Sequence, residues 1–525
     1  MKAMTRKPVK RFSTVNLLPR ERRRRHARFA AMRDTGTILT ARGAAALALL
    51  LSLPACLEAP SPPPRNVVLI TFDTTRADVL GVYGGDAAVS PAFDALAARG
   101  TLFLQAQAQA AVTPVAHASI LTGLNPYNHG LRTLHGNRLY HLPGTIPTLA
   151  ARLQDLGYDT AAFVSAFPCS RRFGLDQGFE VFDADFGGAP EARIGPAGNI
   201  STGLAQRDAA ATTESALRWL AGRDRERPYF LWVHYFDPHD PLLRPPVPRQ
   251  EPFMDGFPRF SEMEEALTRD PERFVADYVK DPDLMRSWLR RLYRAEVSWA
   301  DTQMGRLFAA LDADGGLEHT VIAVTSDHGE GLGDHDWWGH GILYQEQLHV
   351  PLALAGPGVP RDLLVQDRVR HVDLAPTLLH LAAGSDFGHK VDGISLLPLM
   401  TRRAAGDEPR AGELPGPAYA DAVTLMRYGA VFDPGVSEVR DDQLYVWIDS
   451  NLKWIRHRLH ADRSELYDLE ADPGEQVNLV PVRPRDAGRL DRALEEEHPM
   501  TAEIDFSLPE DDEVRQRLKS LGYVD

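Results

Sequence analysis

Asn66-Val67-Val68-Leu69-Ile70-Thr71-Phe72-Asp73 (NVVLITFD, residues 66–73) decides the fold of this chain. Its apolar residues follow one another without alternation, so neither face of a strand here is designed for water. That is the pattern of a strand in a parallel sheet covered by helices on both sides. The run ends on a carboxylate, Asp73, where the strand's carboxyl end is expected. In open sheets of this kind those ends gather along one edge, and ligands bind there.

Working outward, Ser90–Arg99 (SPAFDALAAR) reads as a helix with Ser90 as N-cap and Pro91 in the first helical position. Tyr158–Val164, Tyr229–Tyr235 and Thr320–Thr325 read as further buried strands, and Arg294–Leu311 as a helix between them. The alternation predicts an α/β fold: a large, mainly parallel sheet flanked by helices, spanning residues 65–403. From about Ala404 the texture changes. Residues 404–417 read as a linker, and 418–525 as a smaller C-terminal subdomain. Its short strands fall over 443–448, 452–456 and 464–469 in an antiparallel sheet, with a tail helix over Glu513–Leu521.

The N-terminal end has a different character. Residues 1–56 carry a net charge of +11 within a chain of −14, which leaves −25 on the rest. Residues 1–31, with the run Arg22–Arg25, are too basic for an ordinary leader, and Met32 is the better start. Residues 32–56 have a signal-peptide layout: Arg42, then the apolar run from Gly43, then Cys56. That run is shorter than the roughly 20 apolar residues of a spanning helix. It resembles a bacterial lipobox, with Pro54 as its departure, so the expected location is the periplasm or cell envelope, with Cys56 as a lipid anchor. A stiff Pro-rich tether, residues 57–64, follows. The membrane is expected as a partner only through that segment. An acidic body excludes the nucleic-acid backbone as a partner, and an anionic substrate would need a local positive source such as a metal ion. Cys169 is then the only other cysteine and reads as a small buried apolar side chain.

Three strand ends carry chemistry-bearing groups: Asp73; Asp327-His328; and His234 followed by Asp237-Pro238-His239. Two carboxylates and an imidazole suit a divalent cation, with oxygen ligands favouring calcium or manganese and the histidine favouring zinc. Ala111–Gly123 (AVTPVAHASILTG) reads as a helix start in which Thr113 is a nucleophile, a metal ligand or a plain N-cap, and these stay open on the residues alone.

Six ordered segments resemble the sulfatases and their phosphoesterase relatives in the alkaline phosphatase superfamily: NVVLITFDTTRADVLGVYG (66–84), TPVAHASILTG (113–123), TAAFVSAFP (160–168), HYFDPHDP (234–241), TSDHGEGLGDHDWWGHG (325–341) and ELYDLEADPGEQVNL (465–479). The resemblance implies that Asp73, Thr113, Asp327 and His328 bind a divalent metal, with a second metal through His239 or His340 left open. It places the nucleophile on Thr113, the basic residue one helical turn later on His117, and the contacts to the anionic group or leaving group on His239 and His340. Where many sulfatases have a second consecutive aspartate, this chain has Thr74. Sulfatases of the main type have Cys or Ser at the position of Thr113, as the precursor of formylglycine. A β-branched threonine cannot give that aldehyde, whereas nucleotide pyrophosphatase/phosphodiesterases and phosphoethanolamine transferases use threonine unmodified. The expected activity is metal-dependent hydrolysis of a phosphate diester, a phosphonate or a sulfate ester. The alternatives are a phospho-group transferase and a catalytically silent anion-binding protein. His234 is expected to support the site and His371 to be structural.

Overall fold

The computed structural model describes residues 65–133, 141–186, 192–194, 200–202, 206–239, 250, 252–270, 273, 282–423 and 442–498. The basic start, the signal segment with Cys56, the tether and the helix expected over Glu513–Leu521 lie outside them. Among the described residues no helix is long and apolar enough to cross a membrane.

The opening stretch forms strand β1 (Asn66–Phe72), buried along almost all its length. Its side chains divide with the two-residue period of a strand: Val67 and Leu69 enter one apolar cluster, Val68, Ile70 and Phe72 the other. In chain order there follow helix α1 (Pro91–Ala98), β2 (Thr101–Gln107), helices α2 (Thr113–Thr122), α3 (Pro126–His129) and α4 (Leu149–Asp155), then β3 (Asp159–Phe163) and β4 (Val181–Asp183). A small hairpin, β5 (Ala192–Ile194) and β6 (Ile200–Thr202), precedes α5 (Ala209–Gly222), β7 (Tyr229–Tyr235), α6 (Phe260–Arg269) and the long α7 (Pro282–Ala313). Then come β8 (Thr320–Ser326), α8 (Gln345–Leu348), β9 (His349–Ala355), β10 (Leu363–Arg370), α9 (Leu374–Ala383) and α10 (Leu397–Ala405).

The main sheet has eight strands in the order β10-β2-β9-β8-β1-β7-β3-β4. It is parallel except at β9, which runs antiparallel to both β2 and β8. One face packs on α2, α4 and α9 through Val115, Leu121, Leu149, Leu153, Leu374 and Leu378. The other packs on α1, α5 and α7 through Phe93, Ala216, Tyr293, Val297 and Met304. This is the two-sided cover that an uninterrupted apolar strand requires.

The C-terminal strands β11 (Ala418–Ala422), β12 (Leu444–Asp449), β13 (Leu452–His457) and β14 (Glu465–Asp468) form a second, antiparallel sheet in sequential order. One of its faces, with Ala420, Val446 and Ile455, joins the main core. The other, with Tyr445, Trp447 and Trp454, is covered by helix α11 (Pro484–Glu497) through Leu490 and Leu494.

A histidine ties this small sheet to the loop after β8. His335 lies flat on Tyr344, with ring centroids 3.8 Å apart. Its Nδ1 is 2.8 Å from Glu346 Oε1 and its Nε2 is 3.2 Å from the Glu475 carbonyl oxygen. Both of these partners only accept, which favours the imidazolium, while the Gln476 amide nitrogen lies 3.5 Å from the same Nε2. Burial opposes that charge, but the Glu346 carboxylate outweighs it and raises the pKa. A group with a raised folded pKa stabilises fully below its unfolded value, about 6.5, and loses that contribution as pH rises through the folded value. His335→Gln is therefore expected to cost about 1–2 kcal/mol near pH 6 and distinctly less near pH 9. Urea unfolding of both proteins at the two pH values measures this, and an equal cost at both would rule out the imidazolium.

Candidate active site

Strand register brings the site together. Thr71 on β1 is level with His234 on β7 and with Thr325 on β8, and Phe72 is level with Tyr235 and Ser326. The residues after those ends are locked across the strands: Asp73 N–H donates to the Tyr235 carbonyl at 2.8 Å, and Asp327 N–H to the Phe72 carbonyl at 3.1 Å. Thr74 then turns back with φ +48°, a conformation a β-branched residue rarely adopts. Its N–H donates to Asp327 Oδ1 at 3.0 Å and its carbonyl accepts from the Tyr293 hydroxyl at 2.8 Å. After β8, Gly329 passes so close to α8 that an added Cβ would lie 2.0 Å from the Glu346 carbonyl oxygen. Only glycine lets the loop from His328 to His340 follow that path.

Asp73, Thr113, Asp327 and His328 are all fully buried. Ligand atoms of Asp73, Asp327 and His328 lie within 4.8 Å of one another. Thr113 begins α2, and the residue capping that helix is Val112, with no side-chain cap. The Thr113 hydroxyl is therefore not used as an N-cap; it lies 3.5 Å from His328 Nε2 and near enough to the Asp73 carboxylate to oppose the rise in its pKa.

The fit of a cation can be judged from the lone pairs. Asp73 Oδ2 accepts from His234 Nε2 at 3.0 Å, while Oδ1 is buried with no hydrogen-bond partner. Asp327 Oδ1 accepts two backbone N–H groups, from Thr74 and His328, while Oδ2 has no hydrogen-bond partner. His328 Nδ1 donates to the Gly329 carbonyl at 2.9 Å, so the neutral ring leaves a bare Nε2 towards Asp327 Oδ2 (3.4 Å) and Thr113. Two orphaned carboxylate oxygens and one bare imidazole nitrogen in a dry site are what a divalent cation needs, and are costly without one.

Cys169, His117 and His234 also lie close enough together to suggest a metal cluster, but their protons argue otherwise. His117 Nδ1 is 2.8 Å from the Thr113 carbonyl, an acceptor only, so it carries the proton. His234 Nδ1 accepts from Ser165 N–H at 3.3 Å, so its proton is on Nε2 and points at Asp73. Neither histidine turns a bare nitrogen towards the buried Cys169 thiol, which sits 3.7 Å from His117 Nδ1. This group orients its neighbours instead: His234 holds Asp73, and His117 holds the backbone of Thr113.

His340 Nδ1 donates to the Ala111 carbonyl at 2.8 Å. Its Nε2 is then the acceptor for His239 Nε2–H, 3.1 Å away. The His340 ring lies 4.5 Å from that of His328, so the pair borders the four-residue cluster. Burial lowers the His340 pKa to about 4 and holds His239 well below the usual histidine range. His371 lies behind the site, 3.4 Å from Thr325 Oγ1. The supporting contacts of Thr71, whose Oγ1 lies 3.0 Å from His117 Nε2 and accepts Trp232 Nε1–H at 3.0 Å, and of Thr74 were not anticipated from sequence. The one available signal was a hydroxyl, Thr71, inside an otherwise apolar strand.

A cation held at this site would have a signed effect on stability. Without one, burial holds the Asp73 and Asp327 carboxyls well above the ordinary range, and the Asp73 charge adds to this at Asp327. The metal-free fold then binds more protons than the unfolded chain, so the stability these groups give is lost as pH rises through their folded values. A cation binds the deprotonated forms, so the gain in Tm on adding calcium, manganese or zinc to chelated protein is expected to grow from about pH 5 to about pH 8. A pH-independent gain would place the cation elsewhere.

A family profile described as Sulfatase matches residues 65–385. An arylsulfatase of Clostridium perfringens is 27% identical, over 79% of this chain and 90% of that protein. A choline-sulfatase of Rhizobium meliloti is also 27% identical, over 82% of this chain and 84% of that one. The structure of the phosphonate monoester hydrolase of Agrobacterium radiobacter has the same fold, with a TM-score of 0.59 and 24% identity over 82% of this chain and 94% of that one.

Proposed function

Because this chain belongs to the sulfatase family, as a hydrolase of sulfuric or phosphoric esters, we propose that it acts through Thr113 as an unmodified nucleophile, on a phosphate diester or phosphonate in preference to a sulfate ester. The observation that carries this reading is the convergence of Asp73 Oδ1, Asp327 Oδ2 and bare His328 Nε2 beside the Thr113 hydroxyl. The β-branched carbon of Thr113 supports the choice of ester, since it cannot become the aldehyde of a formylglycine. The family generally binds a divalent metal, and the four residues Asp73, Thr113, Asp327 and His328 would hold it here.

A divalent cation at that position would lower the pKa of the hydroxyl and offset charge on the non-bridging oxygens of the ester. The protein supplies the rest. The Thr113 hydroxyl stands 3.5 Å from His328 Nε2, and His234 and Thr74 keep the two aspartates in place. The start of α2 presents the positive end of a helix to the anionic group. Thr113 Oγ, its proton released to solvent, bonds to phosphorus as the ester alkoxide leaves; the His239–His340 pair, with one proton between its two Nε2 atoms, offers that proton as a hydrogen bond to the departing oxygen, which takes its own proton from water. Water then cleaves the Thr113 ester. His117 has both nitrogens bound inside the protein, which favours orienting the nucleophile over touching the substrate.

The experiment is a comparison of kcat/KM on bis(p-nitrophenyl) phosphate, an aryl phosphonate monoester and p-nitrophenyl sulfate with metal-loaded protein. The phosphorus esters are expected to be turned over faster, and turnover of the sulfate alone would overturn the choice. We further propose export to the cell envelope with a lipid on Cys56, supported by the layout of residues 32–56. Mass analysis of the mature N-terminus tests it, and a non-acylated N-terminus would exclude the anchor.

A further inference from the structure

We propose that Arg286 binds an anionic group carried by the leaving alcohol, so that the preferred ester is charged on both sides of the bond that breaks. This rests on the proposed function, which puts the leaving group at the His239–His340 pair. Trp338 lies two residues from His340, at most about 7.6 Å along the Cα trace. Backbone bonds fix it there: Leu332 N–H donates to the Trp338 carbonyl at 3.1 Å, and Gly331 N–H to the Gly339 carbonyl at 2.9 Å. A small apolar cluster, separate from the two main ones, packs Met254, Trp288 and Leu292 against Trp338. The Arg286 guanidinium carbon stands 5.7 Å from the centroid of the Trp338 ring. Gly333 leaves room for both, since a Cβ there would lie 2.9 Å from Arg286 Nε and 3.2 Å from the Trp338 ring.

Two neighbouring arginines of α7 show what Arg286 lacks. Arg290 Nε donates to the Leu332 carbonyl at 2.9 Å, and its Nη2 bonds Asp334 Oδ1 at 2.7 Å. Arg291 Nη1 donates to the Phe253 carbonyl at 2.9 Å. Arg286 is half-buried, its Nε is buried with no hydrogen-bond partner, and it makes no ion pair among the described residues. A partly desolvated cation without a counter-charge costs the fold free energy. It also stands out in a body that carries −25 outside residues 1–56. Trp338 covers one face of the guanidinium and Nε is closed off, so the edge with the two terminal nitrogens is the part that can meet a ligand. That edge is a two-pronged donor, matched to a carboxylate, a sulfate or a phosphate. In an acidic body it supplies the local positive potential that a second anionic group on the substrate needs.

The test uses metal-loaded full-length protein and two esters that differ by one carboxylate on the leaving group: methyl 4-nitrophenyl phosphate and methyl 3-carboxy-4-nitrophenyl phosphate. Wild type is expected to favour the carboxylated ester at least about tenfold in kcat/KM, through KM. Arg286→Met keeps the packing on Trp338 and is expected to lose that preference, with the plain ester within about twofold of wild type. Arg286→Lys keeps the charge without the fork and is expected to fall between the two. Added salt should erode the preference in wild type and leave Arg286→Met unchanged. Equal kcat/KM on the two esters in wild type, or a preference that survives Arg286→Met, would overturn the proposal. So would an equal loss on both esters in Arg286→Met, the mark of an arginine that only packs. Absence of turnover on both would remove the proposed function instead, and binding of the alcohol alone then decides. In saturation-transfer NMR, 5-hydroxy-2-nitrobenzoate is expected to bind wild type more tightly than Arg286→Met, and equal binding would overturn the subsite.

Discussion

Thr113→Ala is expected to lower kcat by roughly a thousandfold or more on every ester the wild type hydrolyses, because a nucleophile and its activating group act as a unit and losing either removes most of the rate. The cost in stability should be small. The Thr113 hydroxyl does not cap α2, whose cap is Val112 with no side-chain bond, so no helix-capping energy is lost with it. Its long contact with His328 Nε2 is lost, but the His234 bond to Asp73 Oδ2 remains. The metal should also remain, through Asp73, Asp327 and His328. The expected result is therefore a folded, metal-loaded and nearly inactive protein. Thr113→Ser keeps a hydroxyl, now primary, in the same place and, with the side chain shown by mass analysis to be unconverted, is expected to retain turnover within about tenfold of wild type. Turnover that survives Thr113→Ala would show that water attacks directly. A loss in Thr113→Ser as complete as in Thr113→Ala would show that the methyl group, and the packing it makes, matters more than the oxygen.

How much of this was legible in the sequence depends on how local each cause is. The strands over 66–72, 229–235 and 320–326 stand where apolar runs place them, because a strand covered on both faces leaves few other readings of such a run. The three chemically loaded strand ends meet for the same reason: parallel neighbours put their carboxyl ends on one edge. The direction of β9 was not legible. Its sequence, HVPLALA, is as apolar as that of a parallel strand, and its reversal depends on pairing with β2 and β8. Helix α7 starts at Pro282, twelve residues before the helix expected from Arg294, although its first turns (PDLMRSWLRRLY) carry an apolar stripe at Leu284, Trp288 and Leu292, so the earlier start was legible and was missed. Helix α11 was missed likewise: it is charged along most of its length and rests on little more than Ala487, Leu490 and Leu494. At the site, the residue types could be placed but their protons could not. Which nitrogen of His117, His234 or His328 is bare depends on a carbonyl or an N–H brought from elsewhere in the chain, and that difference separates a metal ligand from a group that orients one.

Lys453→Met is expected to destabilise the protein by about 3–5 kcal/mol, since removing one member of a buried ion pair leaves the other charge uncompensated. Lys453 on β13 and Glu475 are both fully buried, with Nζ 2.7 Å from Oε1. Burial lowers the pKa of the ammonium and raises that of the carboxyl, and each partner opposes the shift of the other. Glu475 Oε2 also accepts the Gln345 N–H at 2.5 Å, at the start of α8. The next residues of α8 serve the catalytic loop: the Gln347 carbonyl accepts Gly329 N–H, and its side chain accepts Ile342 N–H at 2.9 Å. The small sheet is thus braced against the segment that carries His328 and His340, which gives the ELYDLEADPGEQVNL stretch a part in the site without any contact to substrate. The double variant Lys453→Met with Glu475→Gln keeps an acceptor for Gln345 and removes both charges, so it is expected to recover most of the loss. Urea unfolding of the single and double variants measures the coupling. A double variant as unstable as Lys453→Met alone would mean that Lys453 acts through its packing against Tyr344 and not through its charge.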